Sequence, residues 1–277
     1  MVNNDSSEKK KAVISIVTVC LNCDKTIAKT IDSVKQQKTN EVEYIIIDGG
    51  SHDGTADIVR SYGDVVDVFV SEPDKGISDA FNKGIAQSSG EIIGLLNADD
   101  QFIPGTVEKV LNWFRGNPET EILHGDVFLY ERAQFIKQIR PPRFWWLPWR
   151  LVLFNHPATF VRKAVYERWG GYRTDYRIAM DVERLAFWSK NGCRISHLSA
   201  PLVSMASGGL SGRSGYLGVS EKRRALLEHG YNRLLVELQF VTGLLIQSFL
   251  SVRVPVTLKG DSGETTAANS RSDKSIH

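Results

Sequence analysis

The stretch GLLNADDQF, residues 94–102, ends an apolar run on two adjacent carboxylates, Asp99 and Asp100, with no basic residue beside them. Ile92, Ile93, Leu95 and Leu96 have the character of a buried strand, and a bare acidic pair at such an end calls for a compensating positive charge. Carboxylate oxygens are natural ligands of hard divalent cations such as Mg²⁺ or Mn²⁺. Magnesium commonly takes only one or two of them and fills its shell with water and phosphate oxygens. A second reading makes the pair a cap for the helix that starts near Pro104, since acids favour helix N-termini. IIIDGGSHDGT, residues 45–55, raises a related question, because Asp48 closes a strand ahead of two glycines, Ser51, Asp53 and a helix start at Gly54-Thr55. The glycines allow close backbone approach to a ligand, but the carboxylates repel phosphate. They suit hydrogen bonds to a base edge or to ribose hydroxyls, and the pattern is neither G-x-G-x-x-G nor a Walker loop.

These acids need a scaffold that brings strand ends together. VISIVTV (13–19) is a continuous β-branched run of the kind buried on both faces. A helical pattern through Ile27, Ile31 and Val34 follows, then the strand ending at Asp48 and a helix carrying Ile58 and Val59. VDVFVSE gives a third strand, 77–88 a helix with Ile77, Phe81 and Ile85, and EIIGLLNADD a fourth strand. A helix through Val107, Val110, Leu111 and Phe114 comes next. Alternation at this spacing implies an α/β fold with a doubly wound parallel sheet, whose ligands sit beyond the strand carboxyl ends. Asp48, Glu72, Asp99 and Asp100 all fall at such ends, so one crevice is expected to collect them. Beyond about 121 the pattern is less regular: EILHGDVFLYE and FIKQIR read as antiparallel strands, and HPATFVRKAVYERWGGY as strand, helix and glycine turn. AMDVERLAFWSKNG reads as a helix stopped by Asn191-Gly192.

Taken in order, ISIVTVCLN, IIIDGGSHDGT, SEPDKGISDAFNKGIAQSSGEIIGLLNADD and AMDVE resemble the inverting family 2 glycosyltransferases of the GT-A type, over about residues 13–206. The central motif looks especially like the enzymes that build bacterial exopolysaccharide, O-antigen and colanic-acid-type units. The resemblance implies a GT-A-like, Rossmann-like, mixed but mainly parallel sheet flanked by helices, in a single catalytic domain with C-terminal helices. It implies that Asp48, Asp53, Glu72, Asp79, Lys83 and Asp99 line a nucleotide-sugar site, with Asp48 on the base and Lys83 near the uridine or diphosphate. Asp99 and Asp100 stand for the Asp-x-Asp metal signature, although its first acid is Asn97 here, which shifts the weight to Asp100. Mg²⁺ or Mn²⁺ bridging a nucleotide diphosphate is the implied partner of the acidic pair. Inverting transfer also needs a base on the acceptor side and positive charge at the departing diphosphate. Asp181 is the candidate base and Glu183 the alternative, while a helix cap is the plain reading of Asp181. His156 resembles a family position near the acceptor pocket, and a structural role is its plain reading. SMASGGLSGRSG (204–215), with Arg213, reads either as a loop closing over the diphosphate or as a linker.

Composition sets the outer bounds. A net charge of +2 over 277 residues excludes a strongly basic nucleic-acid binder by bulk electrostatics. Cys20, Cys23 and Cys193 suggest reduced core thiols, and the lone C-x-x-C has no second pair or nearby His to make a zinc site. Residues 1–11 and 255–277 read as disordered tails, and nothing in the N-terminal stretch directs export. The catalytic domain is placed at 12–230, split into a nucleotide-sugar half (12–118) and an acceptor half (119–230). Lys137, Arg140, Arg143, Arg150, Arg162, Lys163, Arg168 and Arg173 mix with Trp145, Trp146, Trp149 and Trp169, which suits a lipid headgroup surface or aromatic packing within the domain. The helix expected over 231–254 carries Glu237, Gln247, Ser248 and Ser251 in one arc. It is read as lying in a membrane interface, packing on the domain, or spanning, in that order. The whole reads as a cytoplasmic transferase at the bacterial inner membrane, using a nucleotide sugar (UDP favoured over GDP) and a lipid-linked saccharide acceptor. A nucleotide-sugar-binding regulator and a metal-dependent nucleotidyltransferase are the competing readings.

Overall fold

The computed structural model describes residues 12–131, 134–141, 155–207 and 215–251. At its centre lies β1 (Ile14–Cys20), whose seven residues are all buried, between β2 (Val42–Asp48) and β4 (Ile92–Asn97), both parallel to it. β3 (Val68–Ser71) extends the parallel block beside β2. The rest of the sheet is mixed. β8 (Thr159–Arg162) runs antiparallel to β4 on one side and to β6 (Ile122–Glu131) on the other. β6 pairs in parallel with β9 (Ile195–Ala206) and antiparallel with β7 (Gln134–Ile139). β5 (Gln101–Phe102) closes the order β3-β2-β1-β4-β8-β6-β9-β5 by pairing with β9. The doubly wound pattern therefore holds for β1 to β4, and the antiparallel β8 ends it.

Helices cover both faces because the strands alternate apolar side chains to both. One core joins Ile14, Ile16, Tyr44 and Ile46 to α1 (Ile27–Lys35), α2 (Thr55–Ser61) and α4 (Thr106–Gly116). The other joins Val17, Ile45, Ile93 and Leu95 to α3 (Ile77–Gln87), α5 (Lys163–Trp169) and α6 (Met180–Lys190). Gly84 lets α3 sit flush on the sheet, since a Cβ there would come within 2.2 Å of Val17. α6 stops where expected, with Gly192 in the left-handed region at φ 77°. α4 is capped by Gly105, also left-handed, with β5 intervening after the acidic pair. Asp99 and Asp100 therefore do not cap that helix, which removes one of their two readings.

α7 (Gly215–Glu228) and α8 (Arg233–Ser251) attach through a small cluster of Ala186, Leu226, Tyr231 and Val236. α8 packs on α7 through Val236, an Arg223–Glu237 ion pair, the Tyr216 and Phe240 rings, and Gly243 against Val219. Among the described residues no helix is long and apolar enough to cross a membrane. Leu234, Leu238, Val241 and Leu245 point the other way, between 52% and 78% exposed. Side chains beyond Leu245, including Gln247, Ser248 and Ser251, lie outside the described residues.

Candidate functional site

The register of the parallel block fixes the rim. Cys20 stands opposite Asp48, Asp48 opposite Ser71, and Val19 opposite Asn97, so these carboxyl ends are level. Asp48 has no exposed surface, yet no lysine or arginine pairs with it among the described residues. Neutral dipoles hold its charge: Ser51 Oγ at 2.5 Å, Ser51 N–H at 3.1 Å and Ser71 Oγ at 2.7 Å all donate to it. The glycines that follow are required, because a Cβ at Gly49 would lie 2.4 Å from Asp74 Oδ2 and Gly50 takes φ 84°. Asp53 is partly used locally, accepting from the N–H groups of Thr55 (2.9 Å) and Asp24 (3.2 Å), and the Thr55 contacts hold its carboxyl below the usual range. The neighbouring thiols report how closely the acids gather. Burial raises Cys20, and Asp48 and Asp53 add to it; burial raises Cys23, and Asp99, Asp53 and Asp48 add to it. That field disfavours the thiolate form of both.

Of the acidic pair, Asp99 is exposed and Asp100 is turned inward, only 2% exposed. Burial and then repulsion from Asp99 push the Asp100 carboxyl up to about 8, against the Asn97 amide (2.9 Å) and the Ala206 N–H, which favour its ionised form. No cation pairs with either acid among the described residues. Asn97 Oδ1 is buried with no hydrogen-bond partner, an orphaned hard oxygen beside two carboxylates. No cluster of three or more His, Cys, Asp or Glu side chains forms a cage among the described residues. Two carboxylates and an amide oxygen nevertheless fit Mg²⁺ or Mn²⁺, which take their remaining ligands from water and phosphate.

α3 borders the same rim. Lys83 Nζ lies 2.8 Å from Glu72, 3.8 Å from Asp79 and 3.0 Å from the Pro73 carbonyl. These three residues, each expected to meet the donor on its own, here neutralise one another, and the Glu72 contact raises the Lys83 pKa.

On the acceptor half, Asp181 occupies the second position of α6, half-buried, accepting the Val182 N–H at 2.8 Å. Its charge reaches His156, where it opposes the larger lowering by burial, and Tyr172, where it adds to the larger rise that burial causes. Burial holds the His156 imidazole below its ordinary pKa, and His156 Nε2 and the Tyr172 hydroxyl share a 3.0 Å hydrogen bond. His156 opens a 3₁₀ turn (His156–Ala158) packed on β4, which ties this wall to the rim. Glu183 faces the opposite way. It is fully buried, 3.0 Å from Arg184 and 2.9 Å from His229, with no surface open to an acceptor hydroxyl. Val182, Leu185 and Ala186 are buried beside it. Of the two base candidates, Glu183 is enclosed and ion-paired, while Asp181 keeps exposed surface.

Arg213, Arg143, Arg150, Trp145, Trp146 and Trp149 lie outside the described residues. Of the remaining basic residues, Arg162 binds the carbonyls of Thr120, Phe114 and Pro118, Lys163 that of Ser88, and Arg168 pairs with Glu121. Those side chains hold the domain together and are not free for a lipid surface. Two contributors carried no local signal: Tyr172, beside Asp181, and Glu221 of α7, whose buried carboxylate accepts the N–H groups of Arg177, Ile178 and Ala179 just before α6.

Known proteins resemble the chain in sequence and in fold. An uncharacterized glycosyltransferase of Mycobacterium tuberculosis is 30% identical over 179 residues, 61% of this chain and 66% of its own length. A PGL/p-HBAD biosynthesis glycosyltransferase of Mycobacterium bovis is 26% identical over 180 residues, again 66% of that protein. The chain therefore spans slightly under two thirds of the curated relatives it matches. Among solved structures, S. aureus TarS 1-349 in complex with UDP superposes with TM-score 0.63 at 17% identity, covering 88% of this chain and 76% of that one. The mannosyltransferase PcManGT from Pyrobaculum calidifontis, in complex with GDP-Man and Mn²⁺, superposes with TM-score 0.65 at 16% identity, covering 89% and 77%. At those identities the likeness speaks to the fold, which is GT-A-like. The profile of Glycosyl transferase family 2 matches residues 15–174, more than half of the sequence, and the chain belongs to that family.

Proposed function

We propose that this chain transfers a sugar, with inversion, from a nucleotide-diphosphate donor to a lipid-linked saccharide acceptor in bacterial surface polysaccharide synthesis. UDP is favoured over GDP as the donor nucleotide. The observation that carries the reading is the acidic pair Asp99 and Asp100, which no cation answers among the described residues, beside the orphaned Asn97 oxygen, in a chain of this family. Complexes of the structural neighbours with UDP, UDP-GlcNAc and GDP-Man with Mn²⁺ support a nucleotide-sugar donor.

Asp99, Asp100 and Asn97 would hold Mg²⁺ or Mn²⁺, and the ion supplies positive charge for the departing diphosphate. Asp53, exposed at the rim, presents acceptor oxygens to the base or ribose, and Asp48, buried behind it, holds Ser51 and Ser71 in place at the same edge. Asp181 takes the proton from the acceptor hydroxyl as that oxygen attacks the anomeric carbon from the face opposite the leaving group. His156, kept neutral by burial, and Tyr172 form the wall beside it.

A panel of nucleotide sugars, assayed for thermal stabilisation with and without Mn²⁺, tests the donor reading. A cognate donor at 100 times its Kd adds about 2.7 kcal/mol and raises Tm by roughly 5–10 °C. Stabilisation by a nucleotide sugar without any metal-dependent turnover would favour a nucleotide-sugar-binding regulator instead.

We place the enzyme at the cytoplasmic face of the inner membrane, supported by the outward row of Leu234, Leu238, Val241 and Leu245 opposite the α7 contact, with Arg233 83% exposed in side chain beside it. In vesicle co-sedimentation the wild type is expected to pellet with anionic lipid and to be released by carbonate. Leu238→Glu combined with Leu245→Glu is expected to stay in the supernatant, and equal partition of both proteins removes α8 as the contact.

A further inference from the structure

The segment 171–179 delivers Asp181 to its place, and it is held from outside its own helix. On α3, Ser78, Phe81, Asn82 and Ile85 share one face, while Asp79 and Lys83 lie roughly 130° around the axis toward the donor rim. Tyr172 N–H donates to Asn82 Oδ1 at 2.7 Å, and Asn82 Nδ2 donates to the Tyr172 carbonyl at 2.7 Å. One amide side chain thus closes both backbone groups of a residue 90 positions away. The fit excludes any side chain at the preceding position, because a Cβ on Gly171 would lie 2.2 Å from Asn82 Oδ1. Phe81 packs its ring 4.9 Å from His156 and 5.9 Å from Tyr172, and Ser78 Oγ donates to the Tyr176 carbonyl. Tyr172 then meets His156 through its hydroxyl, and both sit in the field of Asp181.

We infer that Asn82 is a positioning residue for the base: its two bonds to the Tyr172 backbone lock the segment that sets Asp181 against the donor-bearing helix. This rests on the proposed role of Asp181. α3 thus meets the donor rim with Asp79 and Lys83 and the base-bearing segment with Asn82. A backbone donor and acceptor satisfied by a single rigid amide leave Tyr172 little freedom, which is how a residue that touches no substrate fixes a reacting group within a fraction of an ångström.

The test compares wild type, Asn82→Ala, Asp181→Asn and the double variant in two measurements. The first is metal-dependent turnover of UDP- and GDP-sugars; the second is hydrogen exchange across 172–180, which requires no turnover. Asn82→Ala is expected to lower kcat by about 10–100-fold, with donor KM within about twofold, and to speed exchange over 172–180 but not in α1 or α4. In the Asp181→Asn background the same change is expected to cost less than about twofold, since the group it positions is already gone. Additive losses in the double variant, an unchanged kcat, or a loss confined to donor KM would overturn the assignment. Asn82→Asp keeps the bond from Tyr172 N–H and sets an oxygen against the Tyr172 carbonyl, so it is expected to fall between wild type and Asn82→Ala; it serves as the probe if the alanine variant does not fold. If wild type turns over no donor, the transfer reading fails, and exchange then decides for Asn82: unchanged protection over 172–180 in its variants rejects the clasp.

Discussion

Asp181→Asn is expected to reduce sugar transfer by about 10³-fold, within the range that a positioned general base contributes, while the affinity for a nucleotide with Mn²⁺ stays unchanged. The substitution keeps size and shape at the second position of α6 and removes the proton acceptor. Its structural cost is small, since Asp181 is half-buried and holds a single backbone N–H of the first helical turn. Glu183, two residues on, provides the control. It is fully buried against Arg184 and His229, with Arg173 at 4.0 Å. Glu183→Gln takes the anion out of that network, and leaving buried cations unpaired typically costs about 3–5 kcal/mol. That loss appears as a fall in Tm of roughly 10 °C, with residual activity in whatever remains folded. Turnover measured below both melting transitions, with nucleotide binding followed by calorimetry, separates the two. Equal turnover in Asp181→Asn and wild type would remove Asp181 as the base.

The parallel block could be read from sequence because its strands are buried on both faces, leaving a run such as VISIVTV few other homes. The antiparallel β8 could not, since TFVR is four residues whose partners, β4 and β6, come from distant parts of the chain. β5 has two residues and exists only because β9 passes beside it. The site divides along the same line. Asp48, Asp99, Asp100 and Asp181 stand at strand ends or a helix start, where local sequence marks them. Asn82 and Glu221 act through backbone groups of residues 42 to 90 positions away, and a hydrogen bond to backbone leaves no trace in the identity of its partner. Lys83 is the converse case. The family resemblance implies a cation near a diphosphate, and the structure already pairs it with Glu72 and Asp79, so a donor phosphate must compete with two carboxylates for it.

Asp100→Asn is expected to abolish metal-dependent stabilisation and to raise the stability of the metal-free protein above neutral pH. The Asp100 carboxyl is 2% exposed, with Asp99 beside it, the Cys23 thiol on the same rim, and only the Asn97 amide and the Ala206 N–H supporting its charge. In the folded chain these surroundings push its pKa up to about 8, whereas in the unfolded chain it takes the ordinary carboxylate value of 3.8. Below the lower value both states carry the proton and nothing depends on pH. Between the two the folded state holds one proton more than the unfolded state, so stability falls as pH rises through that window, by a few kcal/mol in all. A divalent cation reverses the sign, because it replaces the proton and makes the buried charge favourable; its affinity is therefore expected to rise by up to tenfold per pH unit until about pH 8. Scanning calorimetry from acid to mildly alkaline pH, with and without Mn²⁺, reads both effects. Wild type is expected to lose Tm with rising pH when metal-free and to regain it with Mn²⁺, most strongly at the alkaline end. The asparagine variant, neutral at every pH, is expected to show neither the slope nor the gain. A metal-free wild type whose Tm is flat across that range, or an Asp100→Asn protein still stabilised by Mn²⁺, would mean that the cation answering this acidic pair binds elsewhere.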